Sequence, residues 1–299
     1  MDSLWIATTL VASVAQTARN AMQRSLTETL GTVGASQVRF LYGFPFALLF
    51  LLVVVAVGGD PVPAPTGRYL AFVLAGAVTQ ILATVLMLAA MKERSFAVTT
   101  AYIKTEPVQV ALFGVVVLGD HLGLGTALAV VIATAGVVLM AMKPGGAKMS
   151  AAGLRPAAMG IVSGAFFALS AIGFRGAILA MPEGSFVLRA TSTLAWSLAI
   201  QTVLLFFWLG AFDRQALLKS FRAWRPSLLA GFLGAFASQF WFLGFSLTSA
   251  ANVRTLALVE VLFAQIVSRR LFAQQTSPRE IVGMGLIVGG VALLLWAHG

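Results

Sequence analysis

Six stretches of this chain, residues 40–59, 69–91, 122–142, 156–174, 190–212 and 281–299, contain no Asp, Glu, Lys or Arg. Each is close to the ~20 residues a helix needs to cross the hydrocarbon core of a bilayer. Inside lipid the backbone must satisfy its own hydrogen bonds, so each stretch is expected to be a helix. Residues 4–22 add a span that holds Arg19, and residues 226–253 suffice for a span and a turn. Residues 96–118 and 250–272 have the same length but are interrupted, by Lys104 and Glu106 in one and by Arg254 and Glu260 in the other. The expectation is an all-α membrane protein of ten transmembrane helices.

Composition excludes most other classes. Hydrophobic residues make up 59% of the 299 and charged residues 10%, against about 45–50% and about 25% in soluble domains. One core cannot hide that much apolar surface, so lipid must cover it. The net charge of +10 does not point to nucleic acid, because the basic residues sit in short gaps between apolar runs. Cys is absent and His is limited to His121 and His298, which leaves almost no ligands for metal, haem or thiolate chemistry. No cofactor and no enzymatic activity are expected. Residues 4–15 end in Ser13-Val14-Ala15 like a signal peptide, but only Asp2 precedes them in place of a basic segment. They are read as a span.

The two halves repeat each other. Leu74-Ala75-Gly76 recurs as Leu229-Ala230-Gly231, residues 96–140 recur as 250–294, Glu106 falls over Glu260 and Gly136 over Gly290. Arg19 similarly falls over Arg175, and Arg39 over Arg189. The units are residues 1–143 and 156–299, joined by a linker at 144–155. Five crossings per copy is an odd number, so the second copy must enter from the opposite side, giving two inverted five-helix repeats. Lys and Arg cluster in the odd-numbered loops (Arg24; Lys92 and Arg94; Lys143, Lys148 and Arg155; Arg214, Lys219, Arg222 and Arg225; Arg269, Arg270 and Arg279), whereas the opposite side has essentially Arg68. Positive loops stay cytoplasmic, which places both termini outside. Trp5, Tyr69, Trp208, Trp224 and Trp296 lie near span ends and are expected to anchor at the headgroups.

Thr99-Thr100-Ala101-Tyr102 through Glu106-Pro107, then Gly119-Asp120-His121-Leu122 and Ala135-Gly136-Val137-Val138-Leu139, resemble the EamA repeat of the drug/metabolite transporter superfamily. Ala250-Ala251-Asn252-Val253, Glu260 and Gly289-Gly290-Val291-Ala292-Leu293 continue the likeness in the second copy. Asp120 stands where the repeat usually has Glu, and Ala273-Gln274-Gln275 replaces a Gly-acid pair. The resemblance implies a ten-helix transporter. Relatives export amino acids, metabolites or drugs, or carry nucleotide sugars or triose phosphates, and many keep both termini in the cytoplasm, opposite to the orientation the charges give here.

Charges at mid-membrane are costly, about 2.5–3.5 kcal/mol each on insertion scales, so the repeat-related Glu106 and Glu260 are the first site candidates. Tyr102, Glu106 and Gln109 share a face on a continuous helix, Lys104 points away from it, and Pro107 should bend the helix beside Glu106. The structural alternative pairs both Glu residues with buried Arg. Gln16 and Arg19, in a polar stripe with Ser13, Asn20 and Gln23, suit a water-filled cavity or ordinary interhelical hydrogen bonds. Gln80 and Thr84 in the third span, Gln239 and Trp241 in the eighth, and Trp196 could line a pocket that is apolar with a few polar tips. Arg19 and Arg39, with Arg175 and Arg189, are expected as cationic rims at the two membrane faces or as snorkelling side chains. Gly285 and Gly289 look like a helix-packing patch. The function expected is a secondary transporter of the bacterial inner membrane that exports small metabolites, amino acids foremost. It would act on a small-molecule substrate within the lipid bilayer, function as a monomer, and use alternating access. A lipophilic-cation exporter and an intramembrane enzyme are the rivals.

Overall fold

The computed structural model describes residues 3–93, 99, 102–141, 151–262 and 277–297. Residues 144–150 of the linker lie outside that set, as do the loop cations Arg94, Lys143, Lys148, Arg269 and Arg270 and the Ala273-Gln274-Gln275 segment. Every regular element among the described residues is helical: α1 (Leu4–Gly58), α2 (Gly67–Glu93), α3 (Glu106–Phe113), α4 (Leu124–Ala141), α5 (Ala151–Ala180), α6 (Phe186–Phe212), α7 (Arg214–Arg222), α8 (Trp224–Leu247), α9 (Ala250–Leu256) and α10 (Pro278–Trp296). A π-helical turn, Gly114–Leu118, extends α3.

The first helix is two spans. Gly31 (φ 71, ψ 176) breaks it, and the Gln23 side chain donates across the break to the Ala35 carbonyl at 3.1 Å. The chain therefore folds back between residues 4–30 and 32–58. Space does not demand glycine there, because a Cβ would meet nothing within 4 Å. The positive φ does.

Among the described residues α1 supplies two spans and α2, α4, α5, α6, α8 and α10 one each, while the fourth and ninth spans are described in the shorter pieces α3, with its π-helical turn, and α9. Six described helices are long and apolar enough to cross a bilayer on their own, and residues 106–118 and 124–140 form shorter apolar ones. Side chains such as Val57, Val116 and Phe207 face outward as a lipid-covered belt. The helices run well past the charge-free stretches of the sequence, because polar residues inside the bundle need not end a span.

The packing exchanges the halves. Helix α2 (third span) lies along α5 (sixth), α1 (first and second) along α8 (eighth), and α4 along α10. Swapping the two copies turns the first pairing into the second and maps the third onto itself, as a two-fold axis between them requires. An odd number of crossings per copy then makes the two insertions opposite. The recurring glycines sit at these seams. A Cβ on Gly173 would come within 2.8 Å of the Gly76 backbone, one on Gly43 within 3.2 Å of the Gly231 carbonyl, and one on Gly290 within 2.7 Å of the Ala133 nitrogen. Gly285 and Gly289, expected to be packing glycines, have open space instead. Gly283 and Gly290 hold that place.

Helix α7 occupies a stretch the sequence presents as a basic loop. Asp213 caps it by accepting from the Ala216 N–H at 3.0 Å, and Leu218 and Phe221 are exposed on a helix that also carries Arg214, Lys219 and Arg222. Such a helix lies in the membrane interface. Tyr42 Oη fastens it to the bundle by donating to the Ser220 carbonyl at 3.0 Å. Two expected anchors behave otherwise: Trp5 is 5% exposed, packed with Leu256 and Leu258, and Tyr69 is 1% exposed, with its hydroxyl 3.5 Å from Thr193 Oγ1. Trp208, Trp224 and Trp296 remain exposed.

Candidate functional site

The fourth and ninth spans are both broken beside their carboxylates. Lys104 and Thr105 form a turn immediately before α3 begins at Glu106, and Ala257 and Leu258 form the matching turn after α9, just before Glu260. The Leu258, Glu260 and Val261 amides bond three residues back, at 3.1 Å each. Tight turns of this type mark a helix that changes direction. Pro107 accompanies the first break, but the second has no proline, so the break belongs to the repeat and not to Pro107 alone.

Between the broken helices lies a narrow cavity. Glu106, Glu260, Lys104 and Arg254 line it from the fourth and ninth spans, Gln16, Arg19, Asn20 and Arg39 from α1, and Gln80 from α2. All six ionisable groups here are buried, none more than 8% exposed. Each carboxylate pairs with a cation of the other repeat: Lys104 Nζ with Glu260 Oε1, and Arg254 Nε with Glu106 Oε1 at 3.1 Å. The second contact is ionic without hydrogen-bond alignment, for neither atom gains a hydrogen-bond partner. Glu260 Oε2 is likewise free of hydrogen bonds.

Aromatic rings complete the lining. Trp241, Phe242 and Phe245 of α8 and Phe174 of α5 face the space. Trp241 Nε1 donates to Gln16 Oε1 at 2.9 Å, and the Arg254 guanidinium lies 4.4 Å from the Trp241 ring centroid. Of the sequence candidates, Gln16, Arg19, Gln80, Glu106, Trp241 and Glu260 come together here. Thr84 stands behind the wall, where it accepts from Arg39 Nη1 at 3.1 Å, and Gln239 turns away to donate to Thr191 Oγ1 at 2.8 Å. Tyr102 packs on α5, its Cβ against Gly160. The break at 104–105 resets the helical phase, which separates Tyr102 from Glu106 and brings Lys104 into the lining, while Gln109 stays on α3 with Glu106 but donates to Thr105 Oγ1 at 3.4 Å and is absent from the lining. Trp196, expected near the pocket, is 38% exposed on the outer surface. Arg39, Lys104 and Arg254 are the lining residues that sequence reasoning did not put in the site. Their signal was available, since a cation inside an apolar run needs the same explanation as a carboxylate.

Residues 3–142 and 155–296 each match the sequence model of the EamA-like transporter family. The chain belongs to this family. It is thus a multi-pass membrane protein of a small-molecule transporter family. No curated protein matches it. A crystal structure superposes with a TM-score of 0.72 at 14% identity, over 99% of this chain and 96% of the other, which shows a shared fold.

The two EamA repeats are not in the same state. In the second, Arg175 donates to the Phe245 carbonyl at 2.8 Å, to the Thr248 carbonyl, and to Asp120 Oδ1 at 3.2 Å, tying α5 to the end of α8 and to the loop before α4. Its counterpart Arg19 reaches only its neighbour Asn20, through Nε at 3.2 Å and Nη2 at 2.8 Å, and faces the cavity. The cavity extends from mid-membrane past Met87, Met91 and Phe167, towards the end of the bundle that carries Glu93 and Arg155.

Proposed function

We propose that this chain is a secondary exporter of the bacterial inner membrane, with amino acids and related small metabolites as substrates, alternating access as its mechanism and the monomer as its working form. The observation that carries this reading is the chamber between the repeats. It is bounded by paired discontinuous helices and lined by buried charges and aromatic rings together. Discontinuous helices in matching positions of two inverted repeats are where transporters hold substrate. Rings supply contact area and charges fix orientation. Alternating access needs ties that can be exchanged, and the Arg175 cluster supports that view: it closes one end while Arg19 leaves the other unfastened.

Export of lipophilic cations is less well supported, because four cationic side chains line the chamber against two carboxylates, both already paired. One chain contains both halves of the two-fold arrangement, which supports a monomer. The test is counterflow in proteoliposomes loaded with mixed amino acids. Uptake of labelled amino acids that is lost in Glu106→Gln is expected. Flux equal to that of empty liposomes for every amino acid would overturn the assignment.

A further inference from the structure

We propose that the chamber captures its substrate by an oxyanion, a carboxylate or phosphate group, held in the joint fork of Arg19 and Arg39. The transported species then carries an anionic group where it binds. This rests on the reading of the chamber as the transport site and adds the substrate's charge and the residues that select it.

The argument begins with the charges. The Lys104–Glu260 and Arg254–Glu106 pairs engage both carboxylates of the lining, and Glu260 also lies within electrostatic reach of Arg19. Arg19 and Arg39, each 2% exposed, have no carboxylate within salt-bridge distance among the described residues. Asp2 is the only acidic residue outside the described set. The partners the two arginines do have are neutral: Asn20 for Arg19, Thr84 Oγ1 and the Phe40 ring at 5.0 Å for Arg39. Arg39 Nε is buried and bonds to nothing. A buried cation without a counter-ion is a state that folded proteins avoid unless something else supplies the charge.

The two side chains also lie together. A Cβ added to Gly234 of α8 would touch both stems, Arg39 Cγ at 3.2 Å and Arg19 Cδ at 3.6 Å. Two arginine stems that meet at one glycine keep their guanidiniums within electrostatic reach of each other, and each guanidinium is a planar donor whose shape matches the oxygens of carboxylate or phosphate and can bind them bidentately. A dissolved chloride or a cation has no use for that geometry. The remaining body of the substrate meets Trp241 and Phe242, both in the lining. A zwitterion's carboxylate answers one arginine and its ammonium adds a further positive charge, whereas a dicarboxylate or a doubly ionised phosphate ester answers both arginines. Acidic metabolites are therefore preferred to neutral ones of equal size.

The closing experiment measures binding to purified protein in detergent by thermal shift and calorimetry. Probe pairs differ in the oxyanion alone: phenylalanine and its methyl ester, 3-phenylpropionate and its methyl ester, with glutarate and inorganic phosphate as multivalent anions. The acids and multivalent anions are expected to bind, and the esters to bind about tenfold more weakly or not at all. Glutarate binding with no effect of phosphate assigns a carboxylate, and the reverse assigns a phosphate. Arg39→Gln and Arg19→Gln should each weaken the anions by about tenfold, with Arg39→Lys intermediate because a point charge replaces the fork. Ligand-free Arg39→Gln should melt no lower than the wild type, since it relieves an unpaired charge; a structural arginine would melt lower. Equal binding of acid and ester in the wild type, or no binding of any anion, overturns the proposal. Anion binding without flux in proteoliposomes would leave it standing and remove the transporter reading instead.

Discussion

Asp120 Oδ1 lies 3.2 Å from Arg175 Nη2, in a contact that joins the loop between the fourth and fifth spans to the first span of the other repeat. The carboxylate is short and crowded: a Cβ on Gly114 would come 3.0 Å from Asp120 Oδ2. Glu, with one more methylene, would need that space, and the π-helical turn that ends at Gly119 (φ 69) sets the approach. Loss of this contact should release one end of the chamber. The chain has no cysteine, so Thr248→Cys gives a single reporter there. Its labelling by a membrane-impermeant maleimide is expected to rise severalfold when Asp120→Asn is added. An unchanged rate would show that Asp120 does not hold that end shut.

The crossed ion pairs make a stability prediction. Glu106→Gln leaves Arg254 with only its ring contacts to Trp241 and Phe245. Breaking one side of a buried pair costs about 3–5 kcal/mol. Removing both partners, in Glu106→Gln with Arg254→Gln, should return most of that loss, because no charge is left unpaired. Thermal melts of the two singles and the double in one detergent give the coupling. Additive losses would mean that the 3.1 Å contact carries no net stability.

Part of this arrangement is legible in the amino-acid order. Glu106 and Glu260 announce themselves because a carboxylate inside an apolar run has few reasons to be there, and Gly76, Gly231, Gly136 and Gly290 recur because each repeat closes the same seams. Lys104 and Tyr102 are misplaced by helical periodicity, since the turn at 104–105 breaks the period between them and Glu106. Arg19 and Arg39 read as rim residues only while a span is taken to be about 20 residues long. The folded spans continue past them, which moves both into the interior. Helix α7 is short and charged, so apolarity does not reveal it, and its amphipathic face becomes meaningful only against the bundle. Trp5 and Trp196 look alike in sequence but end up on opposite sides of the wall, a choice made by neighbours distant in the chain.

The seam glycines can be tested against their neighbours in α10. Gly290→Ala drives a Cβ to 2.7 Å from the Ala133 backbone nitrogen on α4, where no flexible side chain can yield. Overpacking of that kind costs about 1–3 kcal/mol. Gly285→Ala meets open space and should leave the melting temperature unchanged. A melt in which both substitutions behave alike would separate the α4–α10 seam from stability.

Orientation follows from where the basic side chains of the fold gather. Arg155, which pairs with Glu93 at 3.5 Å, and Arg214, Lys219 and Arg222 of α7 share the end of the bundle at which α1 folds back, because Tyr42 bonds α7 to α1 there. The anionic cytoplasmic leaflet attracts interfacial Lys and Arg by about 1 kcal/mol each, so α7 should lie on that leaflet and help to set the insertion. Both termini are then expected to face the periplasm. A periplasmic-active phosphatase fused after Gly299 should be active in intact cells, and a fluorescent protein fused at the same point dark. Replacing Arg214, Lys219 and Arg222 together with Gln should reduce phosphatase activity and let fluorescence appear. A fluorescent fusion on the unmodified chain would place the basic end outside and reverse the assignment of leaflets.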